Sequence, residues 1–201
     1  MAICMCACKP DPNATPVYRN IGEYQEALTK VKDLTREPFE AAHEGFPISE
    51  RERGNLKEAE IMIEGLIAYK PDNYAPWILK GLTLRTLGKL HEATEAFIQG
   101  IRLAPQDPKG DEAQAIARIY DELGTIYFEQ HEFQKAEQYG DYAVKLFPDE
   151  PSILTNAASI KVELKKTKDA QEYLKRALAK APNYQRALSL QKLISFAPKG
   201  Q

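Results

Sequence analysis

Four prolines, each following a long amphipathic run, constrain the fold of this chain more than any other feature. Their spacings are 34, 43 and 34 residues, and 43 equals 34 plus an insertion of nine. A constant period of this length indicates a repeat architecture, in which one supersecondary unit stacks on the next. We expect the inserted residues within 106–114, because Pro, Gly and Asp are frequent there and favour an extended turn. The four prolines are Pro71, Pro105, Pro148 and Pro182.

Small residues recur in phase with the prolines. An alanine stands twelve residues before each proline, and two helices can approach closely only where side chains are small. The pattern therefore predicts paired helices. A glycine in the turn between paired helices is expected at Gly54 and Gly88. The later copies carry His131 and Lys165 at that position. The four alanines are Ala59, Ala93, Ala136 and Ala170.

These recurring residues resemble the signature of the tetratricopeptide repeat. The resemblance implies an all-α fold, a right-handed superhelical solenoid of antiparallel helix pairs. The clearest copy spans 74–107, and its signature residues are Trp77, Gly81, Gly88, Ala93, Phe97, Gly100 and Pro105.

The resemblance also implies a domain organisation. A flexible N-terminal tail over 1–19 precedes one repeat domain over 20–201. Within one of the copies, Gly45 and Pro47 stand where a regular helix is expected, which predicts a short or kinked helix there. The expected parts of the domain are a degenerate repeat at 40–73, repeats at 74–107, 117–150 and 151–184, and a capping helix at 184–196.

A helix is also predicted upstream of the copies, over about 20–35. Asn20 and Glu23 have the spacing of a capping box, and the apolar residues that follow lie on one stripe. We expect this helix to end before Pro38.

By the same resemblance, the first helix of each repeat lines a concave groove that binds a polypeptide segment. The alternative is that these residues form a merely solvated helix face. We expect their polar groups not to be needed for packing. The implied groove residues are Ile78, Leu82, Arg85, Arg118, Asp121, Glu122, Thr125, Glu129, Thr155, Asn156 and Ser159.

A well-known ligand mode of the family grips a C-terminal carboxylate between paired Lys and Asn. That arrangement would need Lys near Ile78 or Asp121. It would also need Asn near Leu82 or Thr125. Neither residue type stands at those positions, so we expect a different kind of peptide partner.

No pattern in the sequence predicts catalysis. Each of the three histidines, His43, His91 and His131, precedes a Glu, but none opens the His-Glu-x-x-His zinc pattern. There is also no phosphate-binding glycine loop and no Gly-x-Ser-x-Gly elbow. We therefore predict that the protein is not an enzyme and needs no cofactor. The net charge of −2 gives no general attraction to nucleic acid, and we expect none as a partner.

Charge is distributed unevenly along the chain. Residues 106–150 contain eleven acids and four bases, whereas residues 151–192 contain three acids and nine bases. The basic end could steer the protein to an acidic partner or an anionic membrane, or it could be a soluble surface.

All three cysteines lie among the first eight residues. Three alternating thiols could hold a metal, although a structural zinc site needs four ligands. Alternatively, the segment Met5–Cys8 resembles the lipobox of a bacterial lipoprotein, which implies lipidation at Cys8. The apolar segment before Cys8 is too short for a signal peptide, so membrane anchoring and a plain cytoplasmic location both stay open.

The sequence thus predicts an adaptor or scaffold that binds another protein or a peptide segment, with a role in bacterial envelope assembly as an option. The alternative is a structural subunit of a stable complex or homo-oligomer that has no transient ligand. Contact with a membrane is expected only through the lipid anchor.

Overall fold

The computed structural model describes residues 14–43 and 45–196. Their regular structure consists of nine α-helices, and no strand occurs among those residues. The chain divides into two compact units, residues 1–103 (unit 1) and residues 104–201 (unit 2). The helices are α1 Ile21–His43, α2 Glu50–Tyr69, α3 Tyr74–Thr86, α4 Leu90–Leu103, α5 Asp111–Glu129, α6 Phe133–Leu146, α7 Pro151–Glu163, α8 Thr167–Lys180 and α9 Gln185–Phe196.

Local polar groups start several of these helices. Ser49 and Glu52 form a capping box at α2, in which the Ser49 backbone donates to the Glu52 carboxylate at 2.7 Å. The Asn73 side chain accepts from the Ala75 N–H at 3.0 Å and caps α3. At α1 the predicted box is half formed. Asn20 caps the Glu23 N–H at 3.0 Å, but the Glu23 carboxylate accepts from the N–H of Arg19 rather than that of Asn20.

In unit 1, α1 packs on α2 and α3 packs on α4, while α3 also contacts α1 and α2. The core of this unit is built from apolar residues of the first three helices, and Ala59 and Ala93 are fully buried. The core residues are Tyr24, Ala27, Val31, Ala59, Ile63, Leu66 and Leu79.

In unit 2, α5 packs on α6 and α7 on α8, and α7 also contacts α5, α6 and α9. Ala136 and Ala170 are fully buried between paired helices. All four alanines of the period are therefore packing positions, which confirms the prediction of closely paired helices. The core includes Ala117, Ala143, Val144, Ile153, Leu154, Ala157, Ala158, Leu174, Ala177, Ala187 and Ile194.

The predicted break at Pro38 is wrong, because α1 continues through this residue to His43. Val31, Thr35 and Pro38 lie at positions i, i+4 and i+7, and all three are buried. The buried stripe of the helix thus extends through the proline, and this burial offsets the lost backbone hydrogen bond, which costs about 3 kcal/mol in a helix interior. The degenerate repeat at 40–73 was expected to begin with a helix of its own. Its first residues instead form the C-terminal end of α1.

Gly54 is not a turn residue but lies inside α2. The turn between α1 and α2 contains Gly45 instead, nine residues earlier, with a φ of 83°. Its N–H donates to the Ala42 carbonyl, and the next N–H, that of Phe46, donates to the Ala41 carbonyl. Counting back from Pro71 placed the turn too late, because the extra residues of this pair lie in its second helix.

The other helix pairs carry the predicted turn. Gly88 has a φ of 79°, and His131 and Lys165 have φ values of 60° and 59°. The two later copies thus hold the same left-handed turn without glycine, at a conformational cost that glycine avoids.

The end of the predicted flexible tail is packed. The Tyr18 hydroxyl donates to the Met62 carbonyl at 3.3 Å, and its ring meets those of Tyr24 and Tyr69 edge-on. A Cβ added at Gly65 would lie 2.5 Å from the Pro16 carbonyl oxygen. This contact corrects the expectation that the tail over 1–19 is flexible throughout, since its last residues form part of unit 1.

Candidate functional site

The predicted groove residues lie in both units. Ile78, Leu82 and Arg85 are half-buried on α3 of unit 1. The other eight lie on α5 and α7 of unit 2, where the predicted positions adjoin one another because these two helices are in contact.

A row of hydrogen-bonded polar side chains, the polar ladder, joins three helices of unit 2. The Asn156 amide on α7 donates to the Asp121 carboxylate on α5 at 2.9 Å, and both side chains are buried. The Asn156 carbonyl oxygen in turn accepts from the Arg186 guanidinium on α9 at 3.0 Å. The ladder therefore fixes α5, α7 and α9 relative to one another, and charged partners at both ends strengthen its bonds.

The ladder corrects the expectation that polar groups of this face are not needed for packing. Removing the Asn156 amide would leave the buried Asp121 carboxylate and the Arg186 guanidinium without these bonds, and the loss at the buried carboxylate is costly. Arg186 was not among the predicted site residues. Its position 30 residues after Asn156 and the 35 residues from Asp121 to Asn156 are close to one repeat, and this spacing is the signal that indicates a shared face.

The hydroxyl groups of this face donate to their own helices. Thr125 donates to the Asp121 carbonyl at 3.0 Å and Thr155 to the Pro151 carbonyl at 2.7 Å. Ser159 donates to the Thr155 carbonyl at 3.0 Å. Their donors are used locally, so these hydroxyls can meet a ligand mainly as acceptors.

The accessible charges of the face are at its ends. Arg118 and Glu129 are exposed on α5, whereas Glu122 between them is 7% exposed. Eleven residues separate Arg118 from Glu129, which is about three helical turns and about 16 Å, so both side chains lie on one side of α5. The face thus presents a cation and an anion in a fixed order.

On α3, Ile78 contributes to packing. A Cβ added at Gly100 of α4 would lie 3.5 Å from Cγ1 of Ile78, which is ordinary van der Waals contact. Ile78 thus occupies space that the absent side chain of Gly100 leaves open. Its assignment to a ligand-binding surface is not needed to explain its position.

A second polar cluster in unit 2, the lysine network, was not predicted from the sequence. The Lys161 ammonium on α7 contacts Glu137 at 2.7 Å and Asp141 at 2.8 Å, both on α6. Lys166 reaches the same Glu137 at 2.6 Å, and the Tyr173 hydroxyl donates to Asp141 at 3.2 Å. The Lys161 side chain is only 8% exposed.

The network holds both of its central groups in the charged form. Burial alone would raise the pKa of the Glu137 carboxyl, but hydrogen bonds from Lys161 and Lys166 outweigh it and lower that pKa. Burial alone would likewise lower the pKa of Lys161, yet hydrogen bonds to Asp141 and Glu137 raise it.

The lysine network also explains part of the uneven charge. Bases of the segment 151–192 pair with acids of the segment 106–150, as Lys161 does with Glu137 and Lys180 does with Asp149 at 2.8 Å. These lysines therefore neutralise individual carboxylates of the preceding repeat within the unit.

Within residues 14–43 and 45–196, no group of three or more His, Cys, Asp or Glu side chains is arranged to hold a metal ion. No helix in that same part of the chain is long and apolar enough to cross a membrane. Cys8, the predicted lipidation site, lies outside the described residues.

Two family profiles, both described as tetratricopeptide repeat, match the sequence. One covers residues 74–107 and the other covers residues 127–194. The first coincides with the copy predicted as the clearest. No curated protein sequence matches the chain significantly.

Solved structures with the same fold include MamA, which is 19% identical over 72% of this chain and 80% of its own, with a TM-score of 0.61. PilF from Pseudomonas aeruginosa is 17% identical over 89% of this chain and 79% of its own, with a TM-score of 0.58. The thermophilic TPR protein TTC0263 from Thermus thermophilus is 20% identical over 87% of this chain and 90% of its own, with a TM-score of 0.53.

These likenesses confirm the all-α solenoid fold of antiparallel helix pairs. The fold indicates a protein–protein interaction scaffold, and proteins of this kind are generally non-catalytic. With both profiles and the helix pairs in agreement, the chain belongs to the tetratricopeptide repeat family.

Proposed function

We propose that this chain is a non-catalytic adaptor that binds a polypeptide segment on the face of unit 2 formed by α5 and α7. The observation that carries the proposal is the polar ladder beneath that face. Because Asp121, Asn156 and Arg186 fix the three helices, the face is organised before a ligand arrives. A preorganised surface loses less conformational freedom on binding.

The exposed charges define the chemistry of the ligand. Arg118 favours a carboxylate and Glu129 favours a cation, about 16 Å apart along α5. An extended peptide covers this distance with about five residues. The proposed ligand therefore has an acidic and a basic residue about five positions apart, with small or polar residues between them that meet the hydroxyls of Thr125 and Ser159.

The experiment is a peptide-display selection against the intact protein and against a charge-swapped variant, Arg118→Glu with Glu129→Lys. The wild type should enrich peptides with one order of acidic and basic residues, and the swapped variant should enrich the reverse order. Glu172→Lys with Lys175→Glu, an exposed pair on α8, is the matched control and should retain the wild-type preference.

Peptides that bind the wild type and the swapped variant equally well would contradict this site. The alternative function, a subunit of a stable homo-oligomer, is supported by exposed apolar residues such as Leu193 on α9, which is 64% exposed. Light scattering that shows a stable oligomer at low micromolar concentration would favour that alternative.

Anchoring to a membrane at Cys8 stays a prediction, and with it a role in envelope assembly. If Cys8 is diacylated, two acyl chains give stable attachment, whereas one chain binds only marginally. A Cys8→Ser variant should then leave the membrane fraction while remaining folded. A protein that carries three free thiols by intact mass spectrometry would contradict the anchor.

A further inference from the structure

Unit 1 contains an open groove of about 610 Å³ between α2, α3 and α4. Its apolar part consists of Trp77, Leu84, Ala96 and Ile98, and Ile98 is 43% exposed. The volume lies within the range of small-ligand and side-chain pockets, which is about 300–1,000 Å³. We call this feature the acidic groove, because glutamates predominate among its charged residues.

Four carboxylates line the groove, against one ammonium group. Glu60 and Glu64 lie one turn apart on α2, while Glu92 and Glu95 lie on the facing side, on α4. Glu92 and Glu95 are exposed to solvent. A concave surface with one sign of charge raises the local concentration of ligands with the opposite charge.

The groove's own lysine shows which chemistry its walls accept. The Lys80 ammonium lies 5.4 Å from the centre of the Trp77 ring and 2.7 Å from the Glu64 carboxylate. Lys89 also reaches the Glu60 carboxylate at 2.9 Å. Both carboxylates of α2 are therefore already paired with lysines of this chain.

On α4, Glu92 is attracted by Lys89, and Glu95 lies 3.4 Å from the exposed imidazole of His91 on its own helix. Both carboxylates face the groove, and no lysine of its lining forms an ion pair with them at the distance seen for Glu64.

We propose that the acidic groove binds an arginine-bearing segment of a partner protein. The guanidinium pairs with Glu92 and Glu95, and an aliphatic neighbour in the segment covers the exposed part of Ile98. Arginine fits better than lysine because its planar group forms two parallel bonds to a carboxylate. This surface lies in unit 1 and does not depend on the face of α5 and α7 proposed above.

The test uses the fluorescence of Trp77, the only tryptophan of the chain. The first probe is an octapeptide with blocked, uncharged termini and an Arg-Leu-Arg core. The second is the same peptide with citrulline in place of both arginines, because citrulline keeps the shape of arginine without its charge. The arginine peptide should change the emission of Trp77 saturably, and the citrulline peptide should not. Raising the salt concentration should weaken the binding of the arginine peptide, since the charges of the groove are exposed and are screened by salt.

A Glu92→Gln, Glu95→Gln variant should bind the arginine peptide at least tenfold more weakly, with an unchanged circular dichroism spectrum. The matched control is Glu163→Gln with Glu172→Gln, two exposed glutamates of unit 2, which should retain the wild-type affinity. Both variants lose the same charge, so the comparison separates the groove from general attraction.

Three outcomes would overturn the proposal. These are an equal response to the arginine and citrulline peptides, no response at millimolar peptide, and equal weakening in both glutamine variants. A change in Trp77 emission that depends on protein concentration without peptide would assign the groove to self-association instead. If the acidic groove does not bind the arginine peptide, the result of the display selection on unit 2 is unaffected, so the two proposals are tested separately.

Discussion

A buried lysine connects two helices of unit 2, whereas the ion pairs that connect helices in unit 1 are more exposed and border an open groove. Lys161 is almost fully buried and holds two carboxylates of the neighbouring helix, but the carboxylates of Glu92 and Glu95 stay exposed. Both units are built from the same type of helix pair with the same buried alanines. The comparison teaches that the repeat period determines how the backbone packs, while the burial of the polar residues decides whether they connect helices or stay exposed to solvent.

The largest expected effect is that of Lys161→Ala. Removing one partner of a buried ion pair costs about 3–5 kcal/mol, and we expect about 3 kcal/mol because Glu137 keeps its contact with Lys166. Urea unfolding followed by circular dichroism measures the loss. The control in unit 1 is Lys80→Ala, whose partner Glu64 is 45% exposed, and it should cost about 0–1 kcal/mol. Equal losses would contradict the difference between the units.

Close helix packing in unit 1 is tested by Gly81→Ala. The new Cβ would lie 2.3 Å from Cδ1 of Phe97, a ring that is fully buried and cannot move aside. We expect a loss of about 1–3 kcal/mol despite the better helix propensity of alanine. Gly100→Ala is the control, because its nearest contact would be 3.5 Å, and it should be neutral or stabilising by up to about 1 kcal/mol. A neutral Gly81→Ala would mean that α3 and α4 are not as close as described.

The non-glycine turns of unit 2 predict a small gain in stability. His131→Gly and Lys165→Gly should each raise the free energy of unfolding by about 0.5–1 kcal/mol, because φ values near 60° are unfavourable for residues with a Cβ. The opposite change in unit 1, Gly88→Ala, should lower it by a similar amount. Thermal midpoints that do not move in either direction would contradict this account of the turns.

The smallest expected effect concerns pH. The pKa of Glu137 is lowered in the folded state, so its contribution is present above the ordinary value of 4.5 and is lost as pH falls through the folded pKa below it. The pKa of Lys161 is raised, so its contribution is present below 10.5 and is lost at higher pH. The free energy of unfolding of Lys161→Met should therefore change less than that of the wild type at both the acidic and the alkaline end of the pH range. If the stabilities of the wild type and of Lys161→Met vary identically with pH, the lysine network does not cause the pH dependence.

The sequence predicts the helix pairs well because their spacing is a local, repeated requirement. Ala93 and Ala136 recur at one offset since larger side chains would separate the helices, and the turn at Gly88 follows from the same period. Pro38 and Gly54 are misplaced for different reasons. At Pro38 the helix continues because its buried stripe offsets the lost hydrogen bond. The error at Gly54 comes from helix length. The first pair has a longer second helix, so counting back from Pro71 does not reach its turn.

The polar contacts could not be predicted in the same way. Lys161 reaches Glu137 across 24 residues, and nothing in the spacing distinguishes this lysine from its exposed neighbours. Asn156 stands where the family places ligand-binding residues, so its position indicates the face but not the bond to Asp121. A face can only be assigned to packing or to binding once burial and partners are known.

The measurement that tests the central claim most directly is a double-mutant cycle on the polar ladder. Asp121→Ala, Asn156→Ala and the double variant are unfolded in urea, with Arg118→Ala plus Asn156→Ala as the reference pair. We predict a coupling free energy of about 1–2 kcal/mol between Asp121 and Asn156, because a buried, charge-assisted bond joins them, and near zero in the reference pair. A coupling below about 0.3 kcal/mol in the ladder pair, within the range of independent sites, would show that this face is solvated and that its polar residues do not connect the helices.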